Sequence, residues 1–319
     1  MDNSKAPLVS VVFTSYNHEK FLKQAIDSII NQSFKDYEFI IIDDCSTDRS
    51  REIISTYADV DHVVLHLLEQ NTGSYVKASH YGALRARGKY LLFAQCDDYS
   101  ESTQLSALVN VLTTGADNIG VVFSRSNMVD SQGAFISDDY SLRNKAFKTK
   151  CKTDCLISGD EMRSFLSYAC VIPNLSAALI EKSLYFKVGG LPEKYLMAAD
   201  WAFWLSLAEE TNFYYLTATL NNFRQHDTTI RSKTKIDKQL IEIFTLFDEH
   251  IKQYKLKGQK KREMLRGFGN IWATYFLEFP SAVSSSFPKV IKEVSGKNSS
   301  MPYFLVAGIL SKIKSILIK

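Results

Sequence analysis

The sequence contains no apolar run of the roughly 18 residues that a bilayer-crossing helix requires. Its start, MDNSKAPLVSVVF, has no basic segment leading into an apolar core, so the reading is a cytoplasmic protein without a signal peptide. Cysteine is scarce: five residues between Cys45 and Cys170, an odd number, do not make the disulfide framework of a secreted domain. Cys151 and Cys155 form a CxxxC with no second ligand pair nearby, which fits two ordinary thiols better than zinc. Charge of one sign is also lacking. A net +3 and a pI near 8.4 are too mild for a nucleic-acid footprint, although lysine exceeds acid after residue 230. No internal repeat of fixed period occurs.

What the chain does have is enough apolar residue, 45% of 319, to bury a full core. Over the first 130 residues short β-branched runs alternate with helical patterns. LVSVVFT at 8–14 reads as a strand, and Phe21, Leu22, Ala25, Ile26, Ile29 and Ile30 then fall on one helix face. YEFIIIDD at 37–44 is apolar on both faces, as a parallel strand covered by helices should be. Asp48 can cap the next helix, with Ile53, Ile54 and Tyr57 inward. Strands follow at 63–68, 89–95 and 119–124, with helices near 75–86 and 101–113. Strand then helix, repeated, predicts a mostly parallel α/β sheet with right-handed crossovers.

Residues 131–160 are polar and irregular and read as a mobile loop. NLSAALI restores strand character, Gly189 and Gly190 turn the chain, and AADWAFWLSLAEE reads as a helix beginning near Asp200. Trp201 and Trp204 are candidates for a ligand cleft or for the core, Trp204 for the core. Ile236, Leu240, Ile243, Phe244, Phe247, Ile251 and Tyr254 trace one helical stripe, and a second helix spans about 260–279. The closing MPYFLVAGILSKIKSILIK mixes lysines with apolar residues. It suits either a membrane interface or a helix docked on its own protein or a second subunit. The division expected is a domain at 1–231 and a C-terminal helical extension at 232–319.

Acids stand out at two strand ends: Asp43 and Asp44 in IIIDD, Asp97 and Asp98 in FAQCDD. Adjacency alone means little, since 35 acids would give about four such pairs by chance. Position matters more, because sheets of this kind bind ligands at the carboxyl ends of their strands. Two like charges about 4 Å apart repel by roughly 4 kcal/mol at an effective dielectric near 20, so a half-buried pair calls for a cation, a proton or a ligand hydroxyl.

Four stretches in order carry a resemblance: VSVVFTSYNHEKFLKQAIDSIINQSFKDYEFIIIDDCSTD, NTGSYVKASHYGALRARGKYLLFAQCDD, VGGLPEKYLMAADWAFWL and NFRQHDTTI. Over about residues 7–231 the chain is similar to the inverting family 2 glycosyltransferases, which have a GT-A fold and use nucleotide-diphosphate sugars. The resemblance implies that Thr14 and Tyr16 flank the nucleotide base and that Asp44 accepts from a base N–H. It implies that Asp97 accepts from the ribose and that Asp98 ligates Mg²⁺ or Mn²⁺ bridging the donor phosphates. Asp200 is implied as the general base, and Arg224 with His226 would close over the diphosphate, His226 within reach of the metal. The usual DxDD has Gln95 in its first position here, and the acid expected before Asp200 is Ala199. Where relatives carry Arg and Asn ahead of GKY, Ser79 and His80 stand, with Lys77 as a substitute charge.

The implied activity is transfer of a sugar, UDP-linked in the first instance, to a hydroxyl of a saccharide or lipid-linked saccharide at the inner face of the cell membrane, in surface polysaccharide synthesis. Homo-oligomerisation and peripheral membrane contact are compatible with the tail. A sugar-phosphate nucleotidyltransferase would want a Gly-rich loop after the first strand, which FTSYNHEKF lacks. A non-catalytic Mg²⁺-binding module of receiver type would need only about 120 residues and would leave Asp200 without a role.

Overall fold

The computed structural model describes residues 5–114, 118–172, 174–226, 234–278 and 280–317. By packing, the chain forms two compact units. One comprises Met1–Gly159, Ile172–Glu193 and Glu210–Gln225, the other Asp160–Val171, Lys194–Glu209 and His226–Lys319. The segment holding Asp200 thus groups with the C-terminal helices, whereas the division at residue 231 assigned it to the first domain.

The first unit is built on a ten-stranded sheet. Its strands are β1 (Val9–Ser15), β2 (Tyr37–Asp43), β3 (Val63–Leu67), β4 (Tyr90–Gln95), β5 (Tyr99–Ser100), β6 (Ile119–Val129), β7 (Phe135–Asp138), β8 (Cys155–Ile157), β9 (Ala178–Glu181) and β10 (Asn212–Arg224). The order is β3-β2-β1-β4-β9-β6-β10-β5, with β7 beside β6 and β8 beside β10. β1 pairs in parallel with β2 and β4, and β2 with β3, as the alternating pattern predicts. The connecting helices are α1 (Glu19–Ile30), α2 (Ser50–Ser55) and α3 (Tyr75–Ala83). All seven residues of β2 are buried, because helices cover both faces and leave no side of the strand for polar residues. Gly82 lets α3 seat closely, since a Cβ there would lie 2.5 Å from Val12 and 2.6 Å from Ile42.

β9 enters antiparallel between β4 and β6, which makes the sheet mixed at its centre. β10 runs parallel to β6 with register shifts between Leu216 and Thr219 and between Thr219 and Asn221. Such irregularities bend a strand. Beyond them Asn221 and Asn222 pair with Ser100 and Tyr99, so the end of β10 meets the turn carrying Asp97 and Asp98.

Residues 131–160 are not the plain loop expected. They hold β7, β8 and the short α5 (Lys145–Lys150), where Asn144 caps the helix by accepting from Phe147 N at 2.9 Å. Phe147, Cys151 and Ile157 are buried. Three isolated core residues are too few to produce a periodic signal. α4 (Gln104–Thr114) and α7 (Lys182–Lys187) complete this unit.

The second unit is helical: most of α6 (Gly159–Leu166), then α8 (Ala199–Ala208), α9 (Ile236–Gln253), α10 (Gly258–Glu278), α11 (Pro280–Lys297) and α12 (Met301–Leu317). The expected stripe on α9 is the buried one, including Leu240, Ile243, Phe244, Phe247 and Ile251. Trp204 is buried completely. Trp201 donates from Nε1 to Leu166 O at 2.8 Å and packs edge-on to Phe247. Both tryptophans therefore belong to the core of this unit, and the cleft alternative gives way. α12 docks on α10 through Gly269 and Gly308, where a Cβ on either would strike backbone of the other helix. Met301, Phe304 and Leu305 are buried there, while Tyr303, Val306, Leu310 and Ile313 stay exposed. No helix among the described residues is long and apolar enough to cross a membrane.

Candidate active site

The sheet register assembles one edge of the site. Thr14 aligns with Ile42 on β2 and with Gln95 on β4, so Tyr16, Asp44 and Asp97 each lie two residues past one transverse row. Tyr16 is 46% exposed, an aromatic face open to a planar ligand. Asp44 N donates to Ser15 O at 2.8 Å, tying the two strand ends together. The Asp44 carboxylate accepts from Thr72 N at 2.7 Å and from Thr72 Oγ1 at 2.8 Å, one bond per oxygen. Each carboxylate oxygen can accept a second bond, which keeps capacity for a ligand N–H. Its neighbour Asp43 is committed to the chain, accepting from Ser46 N at 2.9 Å and facing Arg51 Nε at 3.4 Å.

The second pair divides the same way. Asp98 is 3% exposed. Its Oδ1 accepts from Arg224 N at 3.1 Å, and its Oδ2 accepts from Asn174 Nδ2 at 2.5 Å and Ser176 Oγ at 2.9 Å. Burial first, and the charge of Asp97 second, push its pKa well above the usual carboxylate range, against the pull of those three donors. The expectation that Asp98 ligates metal falls on a carboxyl that faces inward with three donors on it. Asp97, half-buried, is the member that faces outward.

Arg224 is committed to the chain in a similar way. Its side chain is 2% exposed. It donates to the carbonyls of Asp97 at 2.8 Å and of Asp130 and Ser131 at 3.2 Å each, and to Gln24 Oε1 at 2.7 Å. The guanidinium also lies over the rings of Phe21 and Tyr99. Nε holds the turn after β4, Nη1 the carbonyls of Asp130 and Ser131, and Nη2 Gln24 of α1, so the guanidinium serves to tie these segments to the end of β10. Lys77 faces Glu193 at 3.9 Å, and His80 meets the Tyr185 hydroxyl at 3.3 Å. Gln225, whose N donates to Val129 O at 2.7 Å, precedes His226, the first residue of the last segment of the second unit. The remaining residues of NFRQHDTTI, 227–230, lie outside the described ones.

The donor chemistry fits a hard or borderline divalent cation. A ring nitrogen of His18 and a carboxylate oxygen of Asp97 lie within 4.8 Å of each other. One carboxylate with few further protein ligands is the usual provision for Mg²⁺ beside phosphates, and an imidazole extends the range to Mn²⁺.

In the second unit Asp200 stands in the first turn of α8, its Oδ1 accepting from Trp201 N at 2.7 Å. The N-cap residue itself is Ala198, which offers no side-chain acceptor. Glu242 of α9 takes that part, accepting from Met197 N at 2.6 Å and Ala198 N at 2.7 Å. The helix end favours negative charge at this position. Sequence reasoning missed Thr72, Asn174, Ser176 and Glu242. They act through contacts 28 to 78 residues away in sequence, and only the neighbourhood of His18 to the Tyr16 loop left any local signal.

Comparison with known proteins places this geometry. The profile of Glycosyl transferase family 2 matches residues 10–165. A Bacillus subtilis protein named as the putative teichuronic acid biosynthesis glycosyltransferase TuaG is 42% identical over 95 residues, 29% of this chain and 36% of that one. Among the first curated relatives the chain spans between about a quarter and two thirds of their length. The S. aureus TarS 1–349 structure in complex with UDP-GlcNAc superposes with a TM-score of 0.71 at 17% identity, over 96% of this chain and 84% of that one. The mannosyltransferase PcManGT from Pyrobaculum calidifontis, in complex with GDP-Man and Mn²⁺, gives 0.53 at 14% identity over 97% and 88%. With the sheet order, the paired strand-end acids and the matched profile in agreement, residues 10–165 belong to Glycosyl transferase family 2 and the chain has the GT-A fold.

Proposed function

We propose that this chain transfers a sugar from a UDP-linked donor to a hydroxyl of a saccharide or lipid-linked saccharide, with inversion, in the building of a surface polysaccharide. The observation that carries the reading is the row of Tyr16, Asp44 and Asp97 on three neighbouring strands. Across β2, β1 and β4 stand an acceptor for a base N–H, an aromatic face for the base and an outward carboxylate for the phosphate side. UDP is supported by the acceptor chemistry of Asp44, since uracil presents N3–H where cytosine presents a lone pair, and by the UDP-GlcNAc held by TarS. The teichuronic acid assignment of TuaG supports a surface polymer.

In this reading Tyr16 stacks the base, Asp44 accepts from it and Gln95 faces the ribose. Asp97 would hold a divalent cation, which when bound would offset the charge gathering on the β-phosphate. The acceptor oxygen attacks the anomeric carbon from the face opposite the diphosphate, the bond from that carbon to the β-phosphate oxygen breaks, and the acceptor proton passes to Asp200. UDP leaves as the diphosphate. The match of residues 10–165 to Glycosyl transferase family 2 supports this reading over the nucleotidyltransferase and receiver-module alternatives.

Peripheral attachment to an anionic membrane, at the inner face of the cell, belongs to the same proposal. Tyr303, Val306, Leu310 and Ile313 form one exposed stripe at helical spacing. Residues 301–317 carry Lys312 and Lys314 and no acid, the composition of a helix that lies in an interface.

The test is release of nucleoside diphosphate from a panel of nucleotide sugars, with and without chelator. Chelator-sensitive release from a UDP-sugar is the expected result. Turnover of nucleoside triphosphates instead, or of nothing, contradicts it.

A further inference from the structure

We propose that His18 is a ligand of the divalent cation, supplying Nε2 beside the carboxylate of Asp97 and making the site select Mn²⁺ over Mg²⁺. The inference rests on the nucleotide-sugar reading above and adds to it a residue that the motif comparison left without a role.

Three observations carry it. First, proximity: a ring nitrogen of His18 and a carboxylate oxygen of Asp97 are at most 4.8 Å apart. An ion bonded at about 2.1 Å to each spans up to about 4.2 Å between them. A small rotation of two half-buried side chains closes that difference.

Second, the tautomer. His18 Nδ1 lies 2.7 Å from the carbonyl oxygen of Tyr16. A carbonyl only accepts, so Nδ1 carries the proton and Nε2 carries the lone pair. A ring N–H held on a backbone carbonyl is the arrangement that orients metal-binding histidines and raises their basicity.

Third, the placement is fixed before any ligand arrives. Asn17 adopts φ +55°, a left-handed conformation costly for most residues and tolerated by Asn. It is held there by a bond from its N to Ser46 Oγ at 2.9 Å and one from Thr47 N to its Oδ1 at 2.8 Å. His18 N donates to Ser50 Oγ at 3.2 Å, and Glu19 N to Asp48 Oδ2 at 3.1 Å. A loop fixed at four successive points exceeds what a surface turn between β1 and α1 needs. It fixes Tyr16 and His18 together, so that the residue facing the base also orients the residue facing the metal.

Imidazole nitrogen is a better ligand for Mn²⁺ than for Mg²⁺, which keeps to oxygen and water. The selectivity therefore follows from the ligand set. The experiment is Mn²⁺ and Mg²⁺ binding to the full chain in the presence of UDP, followed by the electron paramagnetic resonance of Mn²⁺ and by calorimetry, for wild type, His18→Gln and His18→Asp. Unfolding temperature serves as the control for folding.

Both variants should weaken Mn²⁺ binding by about 10- to 100-fold and reduce the nitrogen-14 modulation on the Mn²⁺ signal. His18→Asp, which restores an oxygen ligand, should keep Mg²⁺ binding and lower the Mn²⁺/Mg²⁺ preference by about tenfold or more. Unchanged Mn²⁺ affinity and nitrogen coupling in the folded variants overturn the His18 assignment and leave the nucleotide-sugar reading intact. Failure of the wild type to bind Mn²⁺ with UDP overturns both.

Discussion

The carboxylate of Asp98 accepts a hydrogen bond from Arg224 N at 3.1 Å, across 126 residues of chain. It ties the end of β10 to the turn after β4, and the Arg224 guanidinium returns the contact through the Asp97 carbonyl. The two adjacent acids therefore divide their work. Asp98→Ala leaves Arg224 N, Asn174 and Ser176 without their acceptor and should cost about 3 kcal/mol or more. Asp97→Asn should leave thermal unfolding unchanged and lower Mn²⁺ affinity in the presence of UDP. A differential scan and a Mn²⁺ titration on both variants read this directly. The reverse pattern restores Asp98 as the ligand.

Thr72 donates to Asp44 from its backbone N and from its hydroxyl, which Ser74 O also approaches at 3.1 Å, and so sets the direction of the open lone pairs of Asp44. Thr72→Val keeps the backbone bond and loses the hydroxyl, and UDP affinity should fall about fivefold to tenfold, the value of one hydrogen bond near 1 kcal/mol. Asp44→Asn should erode discrimination between UDP and CDP, because an amide can serve either base edge. Calorimetric titration with the two nucleotides checks it. Preference retained in Asp44→Asn places base recognition elsewhere.

Glu242 completes the N-terminus of α8 from outside the helix, on the backbone of Met197 and Ala198. Glu242→Ala removes a cap worth about 1 kcal/mol and frees the turn that holds Asp200. The expected outcome is a lower kcat with UDP affinity unchanged, measured by steady-state kinetics and calorimetry. A rise in the dissociation constant for UDP with kcat intact argues against this positioning role.

Acid should weaken the first unit. Burial, with Lys35 adding for His62 and Arg85 for His66, holds both imidazoles below their usual pKa. The unfolded chain then binds more protons as pH falls past about 6.5, so stability is lost below that pH and is full above it. Denaturant midpoints at pH 7.5 and 5.5 should show the loss, and replacing both histidines with Gln should flatten it. An unchanged slope in the double variant assigns the effect to other groups.

The exposed stripe on α12 predicts sedimentation with anionic vesicles. Val306→Asp with Leu310→Glu should abolish it and leave turnover on soluble acceptors unchanged. Equal sedimentation of the variant removes α12 as the contact.

Much of the nucleotide-facing half was legible in sequence because it is made of local signals. The apolar β2, the helical face of α1 and the acids at strand ends all lie within short windows whose periodicity survives without tertiary context. What escaped detection depends on partners far apart. A motif resemblance cannot show that Asp98, one carboxyl of the pair, turns inward to Asn174 and Ser176. Nor does a sequence reveal carbonyls at Asp97, Asp130 and Ser131 converging on the Arg224 guanidinium. β10 was missed because its polar second half, TATLNNFR, earns its place by pairing with β6 and β5 rather than by alternation.

The central claim is that the first unit binds the donor while Asp200 takes the acceptor proton. The most direct measurement is turnover and UDP affinity for Asp200→Asn with an accepted donor and acceptor pair. Turnover lowered by roughly 10²- to 10⁴-fold with UDP affinity unchanged is the predicted result. Full turnover in the variant contradicts it.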